Sequence, residues 1–250
     1  MTEEPYRWLE AIGNRREYVR DQLKGGSPVL AGCLADGILL LGVSRGLGKV
    51  FEIHDRHAMA GLGHPADLER IRQAAIDAAH LEAFTRAAED VSLRRLVGFG
   101  LSAQLKQNFE QLFTAPVLGE FVFAELGTTP SRDLLVRVHF DGTYSVQMGG
   151  ARVVAADPDE ESTAQAALEQ KWRDSLSLAE AAQQLLETWW LLQTQQTAKE
   201  PSPSLEERAA GWRTATAGAQ IELGWLNRRS SRLVRYEVLD LNQLLPPPSP

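Results

Sequence analysis

A single cysteine, Cys33, in 250 residues rules out an internal disulfide framework and fits a reducing compartment. It lies in an apolar stretch, where a thiol behaves as a small buried hydrophobe. There is no basic stripe, and the net charge is −7. Phosphate binding needs concentrated Lys and Arg, so nucleic acid is not an expected partner. No apolar run approaches the ~18 residues of a membrane-crossing helix, so no membrane partner is expected either. The acidic start, Met1-Thr2-Glu3-Glu4-Pro5, is not followed by the apolar core of a secretory signal. These absences describe a cytoplasmic chain. A repeat of 20–50 residues is also missing. Gly46-Leu47-Gly48-Lys49 is too short for a phosphate loop, Val50 replaces the needed Ser/Thr, and a strand follows. His54, His57 and His64 lie at strand ends and a turn, without cysteine partners or a helical His-x-x-x-His spacing. They read as ordinary histidines, and no metal or cofactor is expected.

What is present suits a soluble globular protein: 44% hydrophobic and 24% charged residues, enough chain to bury a substantial core. The chain is organised around Ser27 to Asp55. Pro28–Leu34 and Ile38–Val43 are apolar strands joined by Ala35-Asp36-Gly37. Asp-Gly between two apolar runs signals a hairpin, because glycine reaches positive φ without steric cost. Tyr6–Lys24 reads as an amphipathic helix ended by Gly25-Gly26.

Lys49–Ile53 and His57–Leu62 are two more strands. Pro65 opens a helix that runs to about Ala88, and Asp90 offers an N-cap for another over Val91–Phe113, weakened by Gly98 and Gly100. Val117–Leu126, Leu134–Phe140, Thr143–Gln147 and Arg152–Ala156 read as strands. Asp141-Gly142 makes a second hairpin tip, and Gly149-Gly150 a bulge or bend. Glu160–Asp174 is helical. Ser177-Leu178-Ala179-Glu180 is a capping box for a helix to about Gln193, whose Trp189-Trp190 suit a core or an interface. Gln195–Gly211 reads as a loop. Ala219–Asn227 and Leu233–Val238 form a last hairpin, followed by a helical turn at Asp240–Leu245 and a proline-rich tail. Strands grouped with helices in pairs argue against a doubly wound parallel sheet. Two antiparallel sheets face to face, with a helix pair outside each, would bury the pattern.

The hairpin tip Asp36-Gly37, the lysine strand Lys49 to Ile53, the Ala60-Gly61-Leu62-Gly63 strand end and the helix start at Pro65-Ala66-Asp67 resemble, in that order, a bacterial proteasome α-type subunit. The Ser44-Arg45, Lys49 and Asp55-Arg56 spacing looks actinobacterial. This resemblance implies an α+β fold, a four-layer αββα sandwich with an extra N-terminal helix. Its implied divisions are a gate segment and helix over 1–24, the sandwich domain over 25–245 and a disordered tail over 246–250. It further implies a homo-heptameric ring stacked on β-type subunits. Met1, Thr2, Glu3, Glu4 and Pro5 would gate entry. Lys49, with Gly61 and Leu62, would line a pocket for the terminal carboxylate of an AAA ATPase activator, a role that suits a compact cationic point charge.

An enzymatic alternative stays open beside it. Catalytic members of the superfamily expose a nucleophile by cleavage after a glycine, and Gly26-Ser27 offers that step with Lys49 nearby. Against it, Pro28 follows Ser27, Val43 stands where an acidic partner is needed, and Ala155-Ala156-Asp157 replaces a glycine-serine-glycine step.

Overall fold

Successive side chains of a strand point to opposite faces. In β1 (Val29–Leu34) and β2 (Gly37–Ser44) every residue is buried, so each strand is covered on both sides. The computed structural model, which describes residues 4–194 and 211–245, shows how. The further strands are β3 (Val50–His54), β4 (His57–Gly63), β5 (Gly119–Glu125), β6 (Leu134–Val138), β7 (Tyr144–Met148), β8 (Ala151–Val154), β9 (Gln220–Asn227) and β10 (Tyr236–Leu239). They form two five-stranded sheets, β10-β9-β2-β1-β8 and β3-β4-β5-β6-β7. All pairings are antiparallel.

The helices are α1 (Glu4–Leu23), α2 (Pro65–Thr85), α3 (Leu93–Arg95), α4 (Ser102–Glu110), α5 (Pro158–Lys171), α6 (Leu178–Gln193) and α7 (Leu241–Leu244). Alternation sorts the core into three layers. Val29, Ala31, Ile38 and Leu40 face Ala58, Ala60, Val122 and Ala124 across the two sheets. Leu30, Leu39 and Leu41 face Leu185, Leu186 and Trp189 of α6. Met59, Phe121, Phe123 and Val136 face Leu68 and Ile71 of α2 and Leu101 and Leu105 of the helix beside it. This is the four-layer α+β sandwich, with a helix pair outside each sheet. Each fully buried leucine contributes about 1.5–3 kcal/mol.

Several local readings change. The β1–β2 turn is Ala35-Asp36, and Gly37 already pairs with Leu34. A side chain at Gly37 would meet the Leu226 carbonyl of β9 at 2.1 Å, so close approach of strands demands glycine there. The helix after α2 starts at Leu93, not Val91. Asp90 sits in a separate 3₁₀ turn, and the Leu93 amide is taken instead by the Glu125 carboxylate of β5 at 2.7 Å. Around Gly98 and Gly100 the helix widens into a π-helical stretch, Leu96–Leu101, before α4. Gly149 and Gly150, with φ of 64° and 70°, turn the chain from β7 in one sheet to β8 in the other. The capping box at Ser177 and Glu180 is formed. The loop expected over Gln195–Gly211 lies outside the described residues except for Gly211, which opens a helical turn over 211–215. The tail Pro246–Pro250 lies outside them entirely.

Helix α1 is built into this sandwich. Val19 and Leu23 are 0% and 3% exposed within the inter-sheet core. Arg16 bonds Asp141 at the β6–β7 turn at 2.6 Å and stacks over Phe109, and Arg15 donates to the Asn108 carbonyl at 3.0 Å.

Candidate functional site

Lys49 stands one residue before β3, in the connection from β2. Its backbone is held from β9: one oxygen of Glu222 accepts the Lys49 and Val50 amides at 2.8 and 3.1 Å, and the other accepts the Ser44 hydroxyl at 3.0 Å. Register explains the convergence, since Glu222 lies opposite Gly42 on β2. The Lys49 carbonyl accepts the Gly61 amide at 3.0 Å.

The Lys49 ammonium donates to the Ser27 carbonyl at 2.9 Å. Burial pushes it down to about 8, with Glu222 opposing. It therefore stays largely cationic at neutral pH, partly stripped of water and held by one fixed carbonyl. Such a group attracts anions, because a desolvated charge gains more from an anion than a hydrated one.

Ser27 is bound differently from a nucleophile. Its hydroxyl donates to the Val43 carbonyl at 2.7 Å and accepts the indole N–H of Trp189 at 2.9 Å. A carbonyl accepts a hydrogen bond but does not take the proton, as the base of an activated hydroxyl must. Val43, the residue standing where an acid was sought, meets Ser27 through its backbone.

Gly61 is close to Lys49 by backbone contact, and a side chain at Gly61 would meet Leu68 and Phe121 at 2.9 and 3.0 Å. Leu62 is 0% exposed in the inter-sheet core. It offers no surface of its own in the single chain.

In sequence the chain is similar to the protein named Proteasome subunit alpha from Streptomyces avermitilis, 32% identical over 178 residues, covering 69% of this chain and 67% of the other. The Proteasome subunit alpha of Pseudarthrobacter chlorophenolicus is 30% identical over 234 residues, covering 90% and 87%. That of Paenarthrobacter aurescens is 30% identical over 184 residues, covering 70% and 72%. The chain belongs to the proteasome α-subunit family. No protein-family model matches it.

Within this α-type chain the other expected positions fall as follows. Met1, Thr2 and Glu3 lie outside the described residues, and Glu4 and Pro5 open α1 rather than preceding it. Proline is tolerated there because the first helical N–H groups have no intrahelical partner. Trp8, Leu9 and Tyr18 of α1 are 48%, 66% and 50% exposed, while Trp189 and Trp190 are buried. His64 caps α2, accepting the Ala66 amide at 3.3 Å. Among the described residues no helix is long and apolar enough to cross a membrane.

Sequence reasoning missed Glu222 and the Trp189 contact. Glu222 did carry a signal, being the one charge in the apolar strand Gln220–Asn227. The tryptophan contact spans 162 residues and has no local signature.

Proposed function

We propose that this chain is the non-catalytic α-ring subunit of a bacterial proteasome core particle in the cytoplasm. Seven copies form a ring over β-type subunits. Met1, Thr2, Glu3, Glu4 and Pro5 gate substrate entry, and Lys49, beside Gly61 and above Leu62, receives the terminal carboxylate of an AAA ATPase activator. The observation that carries the reading is the Lys49 ammonium, desolvated and held by the Ser27 carbonyl, with donors left for an anion.

The silent role is supported by the Ser27 hydroxyl, committed to Val43 and Trp189. A second argument concerns the leader. Cleavage after Gly26 would sever Val19 and Leu23, both core residues, from the domain they help fill. The alternative, a self-processed hydrolase using Ser27, predicts a mature chain beginning at Ser27.

The test uses particles assembled with β-type subunits. Lys49→Ala should weaken activator binding roughly 30-fold or more, since breaking one desolvated charge pair costs about 2–5 kcal/mol. Basal peptide hydrolysis should persist, as it should in Ser27→Ala. Equal binding by Lys49→Ala removes the docking role. Loss of hydrolysis in Ser27→Ala, or an intact mass lacking the leader, overturns the silent subunit.

A further inference from the structure

The sheet order puts β10 and β8 at the edges of one sheet and β3 and β7 at the edges of the other. β9 packs over β3, and β8 over β5 and β6, so β10 and β3 share one side of the sandwich and β8 and β7 the opposite side. Natural edge strands are blunted by charge, proline or a covering element, because an open edge pairs with other chains. β7 is Tyr144-Ser145-Val146-Gln147-Met148, with no charge and no proline, and four of its five residues are exposed.

The His139 amide donates to the Thr143 carbonyl at 2.9 Å, and the Gly149 amide to the Asp133 carbonyl at 3.0 Å. The ladder bonds between them therefore fall on Arg137–Ser145 and Leu135–Gln147. Tyr144, Val146 and Met148 turn their own N–H and C=O groups away from β6. Their side chains lie opposite Val138, Val136 and Leu134, and the two valines belong to the core beneath α2 and α4. The three thus prolong that apolar face past the cover of the helices, and are 43%, 36% and 59% exposed. A side chain at Gly98 would meet the Tyr144 hydroxyl at 3.1 Å, so the π-helical stretch borders the same shelf, where Phe99 is exposed.

The opposite side carries a second patch. The Asn227 amide donates to the Arg235 carbonyl at 2.8 Å. By the same alternation, Tyr236 and Val238 turn their backbone groups away from β9. Val238 is 77% exposed; Leu233 in the β9–β10 connection and Leu47 in the β2–β3 connection are 74% and 73% exposed.

We propose that these two edges dock on each other between copies of this chain, β7 of one copy against the β10–β3 side of the next. The docking rests on the α-ring reading above and assigns the surfaces that close the ring. Two unlike apolar patches on opposite sides of one chain suit a head-to-tail contact, which builds rings, whereas a two-fold pair needs one self-complementary patch. The edge is about 17 Å long and roughly 30–40 Å through the four layers. Each face thus offers about 500–700 Å², near the roughly 800 Å² per partner of a stable interface.

Sedimentation of the full chain with β-type subunits tests this. Met148→Asp or Val238→Asp places an unpaired carboxylate in the contact. Either should raise the concentration for half-assembly about 100-fold or more, with the melting temperature of the chain unchanged. An equimolar mixture of the two variants should stop at pairs of this chain, each pair joining the one sound edge of either variant. If Met148→Asp does not fold, Met148→Lys should act in the same way. Rings formed by both single variants overturn the docking and leave the α-ring reading standing. Loss with Met148→Asp but not with Val238→Asp identifies a two-fold β7 contact and overturns it too, as do rings of both variants that no longer hold β-type subunits. A parent chain that never associates overturns the docking and the α-ring reading together.

Discussion

Replacing Glu222 in two ways separates what its shape does from what its charge does. Glu222→Ala deprives the Lys49 and Val50 amides of their shared acceptor, and Ser44 of its partner. An unsatisfied N–H costs about 1–3 kcal/mol, and water reaches this half-buried carboxylate, so about 2–3 kcal/mol is expected for the pair. For a domain of this size that lowers Tm by about 4–12 °C.

Glu222→Gln keeps the geometry. Its oxygen can serve both amides, while its NH₂ donates to the Ser44 hydroxyl, which accepts as readily as it donates. Stability should fall by less than about 1 kcal/mol, the ordinary worth of a single hydrogen bond. Only the charge is gone, and Glu222 is what opposes the downward push on Lys49. Lys49 in Glu222→Gln should therefore titrate below about 8, and carboxylate binding should fade at lower pH than in the parent.

Lysine NMR resolves the titration, since the chain has only five lysines, and a peptide with a free or amidated terminus reports binding. In the parent, binding should fall about tenfold from pH 7 to pH 9 as the ammonium loses its proton. Equal melting of the two variants refutes the geometric account. An unchanged Lys49 titration in Glu222→Gln refutes the electrostatic one.

Two further outcomes concern α1. Leu23→Ala should cost about 2–5 kcal/mol in urea unfolding, as for a buried leucine, and deletion of residues 1–24 should abolish cooperative unfolding; an unshifted midpoint in either removes α1 from the core. At Asp141, burial is outweighed by the Thr143 hydroxyl and amide and by Arg16, which hold the carboxylate below the ordinary aspartate range. Its stabilisation is thus complete above about pH 3.9 and fades as pH falls through the lowered value. The stability gap between parent and Asp141→Asn should close in acid; a gap constant with pH contradicts the pairing.

The pairing of strands with helix pairs was legible, but it fitted more than one layering, and the αββα order was read from the resemblance to the α-type family. The capping box at Ser177 and the lysine strand were legible too, being patterns over a few neighbouring residues. The start of the helix at Leu93 was not. Its acceptor is Glu125, brought from another layer, and the nearer Asp90 looked the better cap. The role of α1 was also obscured: its exposed Trp8, Leu9 and Tyr18 mask the narrow buried stripe of Val19 and Leu23.

The sequence alone determined the periodicities, the hairpin at Asp36-Gly37 and the capping box at Ser177, because each depends on contacts among near neighbours, while the order of layers came from the resemblance to the α-type family. Tertiary structure decided what those elements hold together. Glu222 meets Lys49 across 173 residues, Trp189 meets Ser27 across 162, and His80 reaches the β3–β4 turn from a helix. A charge's partner is set by which strands lie side by side. That choice minimises exposed apolar surface over the whole chain, and no single stretch of it carries the answer.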